Sequence, residues 1–218
     1  MPARHRLRRR LRPRSQLSFE RRAARKGYRL IAGLDEAGRG PLAGPVVAAA
    51  AVVRGGHFSC RIDDSKRLTP RQREEAFFEI LEKCWIGVGV VTMELIEIFN
   101  IFQASRLAME QALQNLTVVP DLLLVDGRLP LQVSQPTWQI IRGDQRSLSI
   151  SCASIVAKVT RDRIMSCYHA LYPHYGFIRH KGYGTPEHLK ALKRHGPSPI
   201  HRQGFHPICE MTSDADHP

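Results

Sequence analysis

LIAGLDEAGRGPLAGPVVAAAAVV, Leu30 to Val53, sets two apolar runs on either side of a stretch punctuated by glycine and proline. RLIAGLD (29–35) and PVVAAAAVV (45–53) are short, apolar and bounded by Gly and Pro, so both read as strands. Asp35 and Glu36 close the first, and the triplet Gly38, Arg39 and Gly40 begins two residues later. Two negative charges and a fixed positive charge therefore stand at the mouth of a buried strand.

Outward from there, WIGVGVVT (85–92) reads as a third strand, with Gly87 and Gly89 marking close approach by a neighbour. TPRQREEAFFEILEKC before it has Thr69 as N-cap and Pro70 in the first turn, the start of a helix. Residues 93–116 carry Leu95, Ile98, Phe102, Leu107 and Leu113 at helical spacing. DLLLVDG (121–127) is a buried strand ending at Asp126, and WQIIRGD (138–144) another ending at Asp144. SLSISCASIVAKVTRDRIMSCYHALYP starts polar and becomes a long helix stopped by Pro173. PEHLKALKRHG follows as a further helix, with Gly196 at its C-terminal end. Strands first, then strands alternating with helices, predict an α/β fold: a mixed sheet covered by helices.

The net charge of +13 is concentrated at one end. Residues 1–29 hold eleven Arg and Lys26 against Glu20, a net of +11, which leaves +2 for residues 30–218. The basic character thus describes a tail. That tail lacks the apolar stretch of a secretory signal; its Arg-rich, acid-poor composition matches a transit peptide, though it has only two serines. It reads as a disordered extension whose charge attracts phosphates. No apolar run approaches the ~18 residues that span a bilayer, so no membrane association is expected. Five cysteines, odd in number and without a C-x-x-C pair, argue against disulfides and against a cysteine zinc site, and suit a reducing cytoplasm. Eight of the ten histidines lie between His169 and His217, none in an H-x-x-x-H frame, and read as surface and packing residues or as nucleic-acid contacts.

Asp35 with Glu36, Asp126 and Asp144 are each delivered where a separate apolar run stops. A single acid at a strand end is usually a turn former or cap. Three such events in one chain suggest convergence, provided the strands are neighbours. Converging carboxylates raise one another's pKa and resist joint ionisation. Hard divalent cations relieve this, and without nearby Cys or spaced His ligands the donor set favours Mg²⁺ or Mn²⁺ over Zn²⁺. Two such ions roughly 3.5–4 Å apart are the arrangement for cleaving a phosphodiester.

GLDEAGRGPLAGPVV, DDSKRL, LLLVDG, IIRGD, SISCASIVAKVTRD and YGFIRHKGYGT occur in the order and rough spacing of the type 2 ribonucleases H, and the resemblance runs from about residue 29 to 208. It implies a ribonuclease H-like fold with a C-terminal helical extension. It implies hydrolysis of the RNA strand of RNA–DNA hybrids, and incision of duplex DNA 5′ to embedded single ribonucleotides. Metal binding by Asp35, Glu36, Asp126 and Asp144 is carried over, with two Mg²⁺ or Mn²⁺ ions. Gly38, Arg39 and Gly40 match the family's reader of the 2′-hydroxyl, the group that distinguishes RNA from DNA. In isolation that triplet would read as a tight turn with a surface arginine. Tyr183, between two glycines in HKGYGT, matches the tyrosine that packs on the following sugar ring. Lys66 and Lys158 match positions near the nucleic-acid backbone, although Lys158 equally reads as part of a solvated helix face with Arg161 and Asp162. Ser149 and Ser151 read either as caps for helix-start amides or as site residues. Residues 172–206 carry a net charge of +5, which suits either a duplex-binding surface or solvated lysines.

The chain departs from the family pattern at HRQGF, which keeps His201, Arg202 and Phe205 but loses an arginine and a serine, a change expected to weaken backbone contacts or packing without abolishing catalysis. NIF replaces NIL at Asn100. The expected organisation is a disordered basic extension (1–28), a catalytic domain (29–208) and a polar tail (209–218), acting as a cytoplasmic monomer. A different nuclease on the same fold would need the acids without a 2′-hydroxyl reader. A non-catalytic basic binding protein would need neither.

Overall fold

The computed structural model describes residues 16–213. Its elements run in order α1 (Ser18–Arg25), β1 (Ile31–Ala37), β2 (Val46–Val53), α2 (Pro70–Lys83), β3 (Cys84–Val91), α3 (Met93–Gln114), β4 (Leu122–Asp126), β5 (Thr137–Ile140), α4 (Leu148–Leu171), α5 (Phe177–His180), α6 (Pro186–His195) and α7 (Ile208–Ser213). The five strands form one sheet in the order β3-β2-β1-β4-β5. β1 pairs antiparallel with β2, and β2 with β3; β1, β4 and β5 run parallel. The mixed sheet predicted from the strand and helix order is present.

Both faces of the sheet are buried, which accounts for the unbroken apolar runs of β2 and β4. Ala48, Ala50 and Val52 face α3 together with Leu34, Leu123 and Val125. Ala49 and Ala51 point the other way, toward α2 and α4. The alanines of β2 keep the helices close, and Gly87 and Gly89 of β3 do the same for α3. A Cβ at either glycine would run into the Ala112 or Ala108 carbonyl oxygen, so the close approach expected there is real. α2 opens on a full capping box, Thr69 with Gln72.

Four expectations are corrected. The disordered extension fails for the described part of residues 1–28, because α1 packs on the sheet. Ala23 is fully buried with Leu122, Leu124, Ile140 and Ile150, flanked by Phe19 and Tyr28. The arginines around these residues mask a helical apolar edge; residues 1–15 lie outside the described residues. The polar tail begins later than 209, since α7 inserts Ile208 and Met211 into the cluster formed by Tyr175, Phe177 and Leu192. The helix of residues 93–116 breaks at Asn100 (φ 62°, ψ 165°). There the Asn100 side chain accepts from the Phe102 and Gln103 amides at 3.0 and 3.1 Å, capping the second segment. The strand expected to run to Asp144 ends at Ile140, and Asp144 sits beyond it in a 3₁₀ turn, Gly143–Gln145, after the left-handed Arg142. Among the described residues no helix is long and apolar enough to cross a membrane.

Candidate active site

Parallel β1, β4 and β5 bring their C-terminal ends to one edge, where the acids meet. Leu34 pairs with Val125, which sets Asp35 and Asp126 one step further along neighbouring strands. Asp126 lies across from Ile140, and the 3₁₀ turn then folds Asp144 back over it. The Gly143 amide donates to Asp126 Oδ1 at 2.6 Å, fastening that turn to β4. Adjacent strand residues face opposite sides. Asp35 is directed toward Ser154 of α4, and Glu36 toward the following turn, where Arg39 Nη1 lies 3.3 Å from Glu36 Oε1.

The electrostatics record the crowding. Burial, then Glu36 and Asp126, push Asp35 well above the usual carboxylate range. Burial also raises Glu36, against the opposing pull of Arg39. Asp144 is pushed up to about 6 by burial, Asp64 and Asp126. Burial disfavours the Lys66 ammonium, but Asp35, Asp64 and Asp144 outweigh it and hold its pKa above normal. Carboxylates that repel one another in a partly dry site, with Lys66 and Arg39 as their nearby cations, form an all-oxygen donor set that fits a hard divalent ion. Among the described residues no three His, Cys, Asp or Glu side chains are drawn in close enough to form a finished ligand cage.

A pocket of about 210 Å³ is lined by Asp35, Glu36, Gly38, Arg39, Gly40, Lys66, Lys158 and Tyr183. The residues given metal- or substrate-binding roles in the sequence line this pocket, except Asp126 and Asp144, which join through the carboxylate cluster; Ser149 and Ser151 do not line it. Tyr183 is 41% exposed, consistent with a side chain free to meet a ligand. Lys158 Nζ stands 6.0 Å from the centre of its ring and pairs with Asp162 at 2.6 Å. The solvated face suggested for Lys158, Arg161 and Asp162 is corrected, because Arg161 is 1% exposed.

The residue 32–207 segment matches the Ribonuclease HII family model. This chain belongs to the ribonuclease HII family. It is a ribonuclease H, an endoribonuclease of RNA–DNA hybrids. It is 54% identical to the Ribonuclease HII of Geobacter sulfurreducens over 90% of this chain and 91% of that protein. It is 52% identical to that of Chlamydia muridarum over 88% and 89%. Among solved structures, the ribonuclease H2 of Pyrococcus horikoshii OT3 superposes with a TM-score of 0.73 at 27% identity, covering 85% of this chain and 98% of that one.

Asp64, Ser147 and Glu20 support the site without having been singled out in the enzyme's sequence, and they act beside Ser149 and Ser151, which were. Asp64, 6% exposed, accepts from Gln145 Nε2 at 3.2 Å and adds a fifth carboxylate beside Asp144; its place two residues before Lys66 in DDSKRL was the available signal. Ser151 donates to the Asp144 carbonyl at 2.6 Å, and Ser147 caps α4. Ser149 instead meets Glu20, whose Oε1 also accepts from Ser147 Oγ at 2.6 Å and from the Ser149 amide at 3.0 Å. An acid from α1 thus closes the N-terminus of the helix that follows Asp144.

Three histidines expected at the surface or in packing form an ordered buried chain behind Tyr183. The Ser198 amide donates to His201 Nδ1 at 2.8 Å, so His201 Nε2–H faces His188 Nε2 at 3.0 Å. His188 Nδ1–H then donates to the Tyr183 carbonyl at 2.9 Å. Beside it, the Gly182 amide donates to His180 Nδ1 at 3.2 Å. Every donor finds an acceptor only while both His188 and His201 are neutral. Burial pushes each down to about 4. The unfolded chain, near 6.5, then binds more protons between those values. The contribution to stability is full above about pH 6.5 and is lost as pH falls toward 4. Thermal unfolding should show a falling Tm from pH 7 to pH 4.5 that is reduced in His188→Asn. The raised carboxylates act in the opposite sense over this range, so the test is the difference between the two proteins: an identical pH dependence of Tm in wild type and His188→Asn would exclude the neutral chain.

Proposed function

We propose that this enzyme incises duplex DNA 5′ to single embedded ribonucleotides, as well as cutting RNA–DNA hybrids, leaving 3′-hydroxyl and 5′-phosphate ends. The observation that carries the reading is the shared pocket, in which carboxylates and a turn built for close backbone approach lie within one small volume. Asp35, Glu36, Asp126 and Asp144 would hold two divalent ions, Mg²⁺ or Mn²⁺. Bound there, such ions supply an activated water and stabilise the departing 3′ oxygen.

The protein's own part is positioning. Backbone groups of Gly38, Arg39 and Gly40 test the 2′-hydroxyl, and Tyr183 supports the adjoining sugar. The contact of Glu36 with Arg39, three residues on, supports cleaving and ribose-testing groups that work side by side, with the phosphate to be cut beside the sugar being read. Lys66 and Lys158 approach phosphates, which positions the strand without reading bases. From Lys158 a groove of about 450 Å³ continues past Arg73, Arg163, Arg179 and Lys181, with Glu74 and Asp162 paired to Arg163 and Lys158 along it; its cations outnumber its acids, which suits the duplex backbone. Among the described residues Cys60, Cys84, Cys152 and Cys167 form no disulfide, which suits work in a reducing cytoplasm.

The test is a duplex DNA carrying one ribonucleotide, incubated with Mg²⁺ or Mn²⁺ beside all-DNA and full-hybrid controls. The expected result is one cut 5′ to the ribonucleotide, none in all-DNA, and none when the metal is chelated. Equal cutting of all-DNA duplex would instead indicate a nuclease that does not read the ribose.

A further inference from the structure

Two arginines with no catalytic role are among the largest fully buried side chains in the protein. Arg161 is 1% exposed and Arg202 0%. Burying a charge is costly unless it is hydrogen-bonded throughout. Every hydrogen bond these two donate goes to a backbone carbonyl. Arg161 reaches Pro45 from Nε at 2.9 Å, Ala43 from Nη2 at 3.0 Å and Lys181 from Nη1 at 3.0 Å. Arg202 reaches Gly44 from Nε at 3.0 Å and from Nη2 at 2.8 Å, Arg39 from Nη1 at 3.0 Å and Gly38 from Nη2 at 2.6 Å. All these acceptors lie in the 38–45 turn or beside Tyr183.

The consequence follows from peptide geometry. In a planar trans peptide the carbonyl and the next residue's N–H point in opposite directions. Pulling the Gly38 carbonyl inward turns the Arg39 N–H outward; pulling the Arg39 carbonyl inward does the same for the Gly40 N–H. Among the described residues neither amide donates to a protein acceptor. Gly38 permits the arrangement: its φ of +101° is left-handed, and a Cβ there would strike the Arg161 side chain.

We propose that Arg202, with Arg161 beside it, is a positioning residue for ribose recognition. It holds the turn carbonyls inward so that the Arg39 and Gly40 amides face the 2′-hydroxyl. Arg161 links this turn to the Lys181 carbonyl, and so keeps Tyr183 in register with it. The HRQGF departure retains the residue that does this, while the altered Gln203 and Gly204 are exposed. The proposal rests on the ribose-reading function given to the turn above.

Binding separates the two ideas. Fluorescence anisotropy would compare a single-ribonucleotide duplex with the all-DNA duplex in Mg²⁺, using Asp126→Asn so that no cutting occurs. Asp126→Asn alone should prefer the ribonucleotide. Adding Arg202→Lys should reduce that preference by about tenfold, the worth of one hydrogen bond, with all-DNA affinity kept within about twofold. Lysine keeps the charge and loses the fork. Arg202→Gln should do the same where circular dichroism shows it folded; where it does not fold, Arg202→Lys carries the comparison. An unchanged preference in the folded Arg202→Lys protein, or a parallel loss of both affinities, would overturn the proposal alone. No preference in Asp126→Asn itself would overturn the ribose-reading function and the proposal together.

Discussion

Asp126→Asn should lower cleavage of a ribonucleotide-containing duplex by at least about 10³-fold in Mg²⁺, the loss of several kcal/mol of charge stabilisation. Asp126 acts on Asp35, Glu36 and Asp144 alike, so it stands at the centre of the cluster. The substitution keeps an oxygen for the Gly143 amide and removes one repelling charge. The fold should therefore survive, hybrid binding should stay within about threefold, and metal-free Tm should rise slightly. Gel assays of cleavage, paired with anisotropy and thermal unfolding, check all three. A variant that still cuts at the normal rate sinks the four-carboxylate site.

Gly33→Ala should produce the largest structural effect. Gly33 lies in β1, two residues before Asp35, and a Cβ there would overlap the Ser149 carbonyl carbon and the Ile150 amide nitrogen of α4. Backbone on the helix side cannot move aside as a side chain would, so the first turn of α4 must lift from the sheet. Overpacking of this kind costs about 3 kcal/mol or more, a Tm fall of about 6–12 °C for a domain of this size. Because that turn also carries Ser151, which holds the Asp144 carbonyl, cleavage should fall even where the variant remains folded. Gly40→Ala, with open space around the added methyl, should leave Tm within about 1 °C. Equal Tm values for the two variants would show that α4 does not press on β1 as described.

Much of this site was legible in the sequence because its chemistry is local. Asp35, Glu36 and the Gly38–Gly40 turn are neighbours along the chain, and apolar runs ending in Asp126 and Asp144 announce themselves. Helix boundaries at Thr69, Pro70 and Gly196 were readable for the same reason, since capping acts within one turn. Where local signals conflicted with long-range contacts, they misled. Arginines hid the apolar edge of α1, whose partners Leu122 and Ile150 lie far along the chain. Asn100 broke a helix that apolar spacing alone would have continued.

By itself, then, the sequence determined which residues carry charge, which short segments alternate or cap, and which acids end apolar runs. Only the tertiary structure decided that β1 lies between β2 and β4, with β5 beyond, which turns four acids from three separate runs into one cluster. It alone placed Arg161 and Arg202 under the Gly38–Pro45 turn, Glu20 on α4 and the histidine chain behind Tyr183. The reason is physical: a side-chain hydrogen bond to a backbone group outside its own helix or strand, 116 to 164 residues away for Arg161, Arg202 and Glu20, depends on chain path and burial, and neither partner's identity announces the other.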